Sequence, residues 1–145
     1  MRSTHPVDAG NFIPHQTPVL MVNSILEWND EKKSSLIKAF ISKKSPFINS
    51  KGLLDNECFL EIIAQAAAAQ HGFNLFRQNK PKEQGFIAGV NFLNVLKPAK
   101  AETTLLVKVE CGTEISSLSV VNGEILSETG ILHATATITV WHGTF

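Results

Sequence analysis

The chain has 145 residues and a mass of 15.9 kDa, with 43% hydrophobic and 18% charged residues, which excludes a disordered chain and suits one globular domain. Thirteen basic and thirteen acidic side chains cancel, so no overall field draws nucleic acid or an anionic membrane surface. Cys58 and Cys111 form no CxxC or Cys/His metal spacing, and two reduced thiols in a cytoplasmic chain are expected, with no metal. No apolar run reaches the ~18 residues of a membrane span. The opening MRSTHPVDAGN has no apolar core like that of a signal peptide, so a cytoplasmic enzyme or binding domain is the expectation.

Residues 1–12 read as a loose N-terminal arm, followed by a single domain over 13–145 without repeats or linker-like composition. Pro14 and Pro18 bracket an extended entry; Val19 to Trp28 then reads as a strand, Asn29-Asp30 as a turn, and Ser34 to Ile41 as the antiparallel return. Pro46 and the cluster from Asn49 to Gly52 open a loop. From Asp55 the period changes. Phe59, Ile62, Ile63, Ala66, Ala69 and Phe73 recur at three and four residues, the stripe of an amphipathic helix of about five turns. Asp55 or Asn56 can cap its first turn. The run from Ala66 to Ala69 has high helix propensity and leaves a thin helix that a sheet can approach closely. Gly72 is tolerable there, and Asn79-Lys80-Pro81 ends the helix.

After Pro81 the chain reads as strands over 85–96, 103–114, 118–126 and 131–141. The last alternates cleanly, with Leu132, Ala134, Ala136, Ile138 and Val140 on one face and His133, Thr135, Thr137 and Thr139 on the other. Glu128-Thr129-Gly130 suits its hairpin turn, and Gly123 inside a strand pattern suggests a bulge. Two strands, one helix and four strands predict an α+β fold, with a curved antiparallel sheet of about five to six strands around one helix.

Three motifs, in order, carry a family resemblance over about Ile13 to Trp141. Pro14-His15-Gln16-Thr17-Pro18-Val19-Leu20-Met21-Val22 resembles the PHR-x-P-x-LLVD opening of FabZ-type 3-hydroxyacyl-(acyl carrier protein) dehydratases. Phe59-Leu60-Glu61-Ile62-Ile63-Ala64-Gln65-Ala66 is similar to their helix motif LEAMAQ. Phe86-Ile87-Ala88-Gly89-Val90 resembles their FAGI strand, and Leu96-Lys97-Pro98 the turn after it. The resemblance implies a hotdog fold, subunits paired as dimers with the acyl tunnel at the interface, and substrate carried on the phosphopantetheine of an acyl carrier protein or on CoA. It implies no metal or nucleotide cofactor. The chain departs from FabZ where those enzymes carry GHFPGHP with the catalytic histidine. Here the stretch from Ser45 to Leu54 has no histidine, and Asn23 replaces the opening aspartate. The pattern S-P-F-x-x-x-G-L followed by E-x-x-A-Q resembles the ApeP-like dehydratases more closely.

Dehydration of a 3-hydroxyacyl thioester needs a base at the α-carbon, an acid for the departing hydroxyl, and donors for the enolate-like oxygen. By resemblance Glu61 is the acid; an apolar tunnel favours a carboxyl group's neutral form, which suits proton donation. Gln65, one turn on, either orients that carboxyl group or caps a backbone group in the core. Free N–H groups around Asn56 and Glu57 are placed to meet the thioester carbonyl. The matched motifs add Phe47 and Gly89 as substrate-binding positions. For the base, His5 sits in the arm and His71 is ~80° round the helix and ~15 Å along it from Glu61. His133 and His142 are assigned to the polar, surface side of the last strand. His15 remains, between two prolines, either as the base or as a structural pin. Two alternatives stand beside the dehydratase: a non-catalytic acyl-binding subunit whose partner hotdog chain supplies the histidine, and a hotdog thioesterase using Glu61 alone.

Overall fold

The computed structural model describes residues 2–14 and 19–144. The expected arm supplies strand β1 (Arg2–Asp8), and the period-two segments form β2 (Ser24–Asn29), β3 (Ser34–Ile41), β4 (Gln84–Val95), β5 (Thr103–Ile115), β6 (Leu118–Ser127) and β7 (Leu132–Gly143). The 3.6-period stripe forms one α-helix, α1 (Cys58–Arg77). All strands join one antiparallel sheet in the order β1-β2-β3-β5-β6-β7-β4. α1 touches β3, β4, β5, β6 and β7, so the sheet curls around a single helix in the hotdog arrangement. No described helix is long and apolar enough to cross a membrane.

The predicted stripe is the buried face: Phe59, Ile62, Ile63, Ala66, Ala69 and Phe73 all lie in the core. They meet Ile37, Leu105, Val107, Ile125, Ala134 and Ile138 from the sheet, each large side chain contributing roughly 1.5–3 kcal/mol by leaving water. Gly123 is not a bulge, since Val109↔Gly123 is in regular register. Its missing side chain instead admits the helix: a Cβ there would sit 2.6 Å from Ile63 Cγ2. The β5–β6 irregularity falls between Cys111 and Glu114.

The expected loose arm is ordered structure. Residues 2–8 pair with β2 as the seventh strand, and Ala9–Phe12 turns as a 3-10 helix onto α1. Phe12 packs its ring 5.3 Å from Phe73 and 5.6 Å from Phe76. Gly72 makes this approach possible, because a Cβ there would lie 2.5 Å from the Phe12 carbonyl oxygen. Tertiary apolar contact thus orders a segment whose own sequence shows no periodicity. β2 also begins later than expected, at Ser24; residues 19–23 are held by α1 and β3 side-chain and backbone bonds instead.

The two sheet edges differ. Among the described residues β4 pairs only with β7 and leaves a 12-residue edge on which Phe86, Ile87, Val90 and Phe92 are 38–52% exposed. An open apolar edge of this length is a template for pairing with another chain.

Candidate active site

Glu61 lies in the first turn of α1 and is half-buried. Gln65, one turn on and 0% exposed, engages both of its polar atoms across this junction. Its Nε2 donates to Glu61 Oε1 at 3.1 Å and to the Val19 carbonyl at 3.0 Å. Its Oε1 accepts from the Met21 N–H at 2.8 Å. The two readings of Gln65 are therefore one: the amide that satisfies the 19–21 backbone in the core also orients the carboxyl group of Glu61. The i, i+4 spacing puts both on one helix face.

The start of α1 is capped by main chain, not by the expected Asp55 or Asn56 side chains. Glu57 occupies the cap position in a helical conformation without a side-chain bond. The N–H groups of Cys58, Phe59 and Leu60 go to the carbonyls of Asp55, Asn56 and Glu57. Asn56 and Glu57 are exposed, line an open cleft with Lys51 and Pro98, and their own N–H groups meet no acceptor among the described residues. Cys58 is no nucleophile here, since burial, with Asp55, Glu57 and Glu61 nearby, pushes its thiol up to about 11.

The loop before α1 is tied together by its own hydrogen bonds. Asn49 Oδ1 accepts from the N–H groups of Lys51 and Leu53 at 2.9 and 3.2 Å, so this residue braces the loop. Leu54 N–H reaches the Ala99 carbonyl, and Asp55 N–H the carbonyl of Phe47, whose half-buried ring packs on the core. Ser50 and Lys51 face outward. Asn23, standing where FabZ-type enzymes have aspartate, accepts from the Phe40 N–H at 2.7 Å and joins the entry segment to β3. Gly89 sits on the free β4 edge just past an irregularity in its pairing, and a Cβ there would meet nothing within 4 Å.

His15 lies outside the described residues. His133 and His142 do not stand out on an exposed face, His133 being buried and His142 half-buried. His133 is buried, with Nδ1 2.9 Å from the Lys97 carbonyl and its ring stacked 6.3 Å from Phe59. His142 meets Ser119, His71 and Glu83. Position parity was the available signal: His142 is even-numbered like Ala134, Ala136 and Ile138, which face the helix. His71, Glu83 and His142 form the only group of metal-ligand type among the described residues, away from Glu61.

A family model described as ApeP-like, ApeP dehydratase, matches residues 7–144. A 3-hydroxyacyl-(acyl carrier protein) dehydratase FabZ of Chlamydia muridarum (strain MoPn / Nigg) is 24% identical over 107 residues, covering 71% of this chain and 69% of that one. The dehydratase heterocomplex ApeI:P from Xenorhabdus doucetiae superposes with a TM-score of 0.85 at 17% identity, covering 95% of this chain and 92% of that chain. A hypothetical thioesterase from Streptococcus pneumoniae TIGR4 with coenzyme A gives 0.64 at 16% identity, over 83% and 84% of the two chains. At these identities the two solved structures speak for the fold.

Proposed function

The chain belongs to the ApeP-like dehydratase family, and on that premise we propose that it eliminates water from a 3-hydroxyacyl thioester with Glu61 as the proton donor. A base takes the proton at the α-carbon, the C–O bond breaks, and the hydroxyl leaves as water with the proton of Glu61. The product is the trans-2-enoyl thioester. The observation that carries this reading is the Glu61–Gln65 contact at 3.1 Å, in which a fully engaged amide aims a half-buried carboxyl group. The unpaired N–H groups of Asn56 and Glu57 support an oxyanion role opposite it, with Phe47 and Gly89 lining the acyl path. Proton transfers suffice for this chemistry, so the reading calls on no cofactor beyond pantetheine on an acyl carrier protein or CoA as the acyl carrier.

Two anchors on α1 favour His15 as the base. Phe12 is seated against Gly72 and Phe73, and Val19 and Met21 are bonded to Gln65. Four residues from Val19 back to His15 span at most ~14 Å, within reach of Glu61. The free β4 edge favours a second source, a histidine from a paired hotdog subunit, either another copy or a different chain. Turnover of 3-hydroxyacyl-pantetheine thioesters, read as enoyl product, separates these. Glu61→Gln lowers turnover by ~10²-fold or more, the scale of a lost general acid. If His15 is the base, His15→Ala is equally damaging. If the base comes from a partner, the purified chain is inactive and a histidine-bearing hotdog subunit restores activity. Full activity in Glu61→Gln, or free thiol as the product, defeats the dehydratase reading.

A further inference from the structure

Three side chains of ligand type converge where the C-terminal half of α1 crosses the β4–β7 edge. They come from separate elements: His71 from α1, Glu83 from the residue before β4, and His142 from the end of β7. His71 Nε2 lies 2.6 Å from Glu83 Oε1, and His142 Nδ1 lies 3.5 Å from the same oxygen. The two imidazole rings are 4.6 Å apart at 51°. One ligand atom from each residue falls within 4.8 Å of the others.

His142 is held from behind by Ser119, whose Oγ is 3.0 Å from Nε2. In the tautomer that carries its proton on Nε2 and donates it to that hydroxyl oxygen, Nδ1 presents a bare lone pair. This atom is shut off from solvent and makes no hydrogen bond, although a carboxylate oxygen stands 3.5 Å away. A lone pair set against a carboxylate, out of reach of water, is relieved by a cation between them.

We infer that His71, Glu83 and His142 bind one divalent transition-metal ion, zinc first among them, through His71 Nε2, His142 Nδ1 and a Glu83 oxygen. Two imidazoles and a carboxylate are the donor set that suits zinc. Zinc bonds of ~2.0–2.2 Å in a tetrahedral site place ligands ~3.3–3.5 Å apart. The His142–Glu83 pair already has that spacing; the His71–Glu83 contact has to open by about 0.8 Å, and the two imidazole nitrogens, within 4.8 Å of each other, settle to it by side-chain rotation. Ser119 is the outer partner that fixes the tautomer of a metal-binding histidine. The ligand side chains are 19–35% exposed, which leaves a coordination position for water. A metal here stands apart from the Glu61 chemistry, because His71 is ~15 Å along the helix axis from that residue. Its effect is to tie α1 to the sheet beside the free edge strand.

The test titrates chelator-treated full-length protein with zinc chloride, followed by calorimetry and thermal unfolding. One equivalent is expected to bind and to raise Tm by several degrees, and cobalt(II) is expected to show the visible absorption of a tetrahedral site. Loss of a ligand exceeds the cost of losing an outer partner, so His71→Ala and His142→Ala each weaken zinc by ~100-fold or more, and Ser119→Ala by ~10- to 100-fold. Glu83→Gln keeps side-chain size and a hydrogen-bonding group, so an unchanged circular dichroism spectrum with weakened zinc separates ligation from folding. Saturable binding that is absent, or that persists in the His71→Ala/His142→Ala double variant, overturns the site. A Tm that answers to acidification but not to zinc assigns the cluster to protonated imidazole against carboxylate instead.

Discussion

In the N-terminal half of α1, Glu61 is held by the neutral amide of Gln65, whose polar atoms all have partners. At the C-terminal half, Glu83 is held against His71 and His142, and one imidazole nitrogen is left over. The two devices suit opposite tasks. An amide orients a carboxyl group without itself adding charge. Imidazoles favour the anion. Burial alone would raise the pKa of Glu83, but the hydrogen bond and charge of His71, with His142 behind it, hold it below the usual carboxylate value. On the function proposed above Glu61 is the acid, whereas Glu83 is held as an ion-pairing anion.

Each half of α1 also anchors a stretch of the N-terminal chain, and substitutions can set the two anchors against each other. The largest effect is expected at Gln65. Gln65→Leu leaves the buried Met21 N–H without its acceptor and frees the Val19 carbonyl, a cost of about 2–4 kcal/mol in chemical denaturation. Dehydratase turnover falls with it, as the carboxyl group loses its guide. A loss below ~0.5 kcal/mol, within the range of an ordinary surface change, would show that Gln65 is not the clamp. The next effect is at Gly72. Glycine to alanine in an exposed helix interior ordinarily stabilises by about 1 kcal/mol. Here the added methyl group meets the Phe12 carbonyl, and Gly72→Ala is expected to destabilise by ~1–2 kcal/mol. A stabilised variant would mean that the 3-10 turn yields freely and that only Gln65 anchors this region.

The smallest effect concerns Glu83. Its folded pKa is depressed, so it contributes stability that is present above its ordinary value of 4.5 and lost as pH falls through the lower folded value. Thermal melts of the metal-free protein and of Glu83→Gln across an acid titration should differ at neutral pH and converge in acid. Parallel curves throughout would remove the ion pairing from the C-terminal half and, with it, the contrast between the two glutamates.

By itself the sequence determined which period each segment follows and the apolar face it buries. Phe59, Ile62, Ile63, Ala66, Ala69 and Phe73 announce the buried helix face, and the even-numbered residues of β7 announce the face toward it. The half-burial of Glu61 was legible for the same reason, as a carboxyl group in a run whose neighbours are apolar, and so was its i+4 contact with Gln65. These are local properties, set by 3.6 and 2 residues per repeat within a few turns of chain. Residues 2–12 have no such repeat, and their order comes from β2 and from Phe12 against Gly72 and Phe73. Gly123 looked like a strand irregularity because a sequence cannot show that Ile63 fills the space its side chain would take. The meeting of His71, Glu83 and His142 depends on the sheet order, which sets β4 beside β7 and both against α1. Residues so far apart along the chain carry no pattern that couples them. Their meeting follows from burying one helix face against a curled sheet, and that was decided only by the tertiary structure.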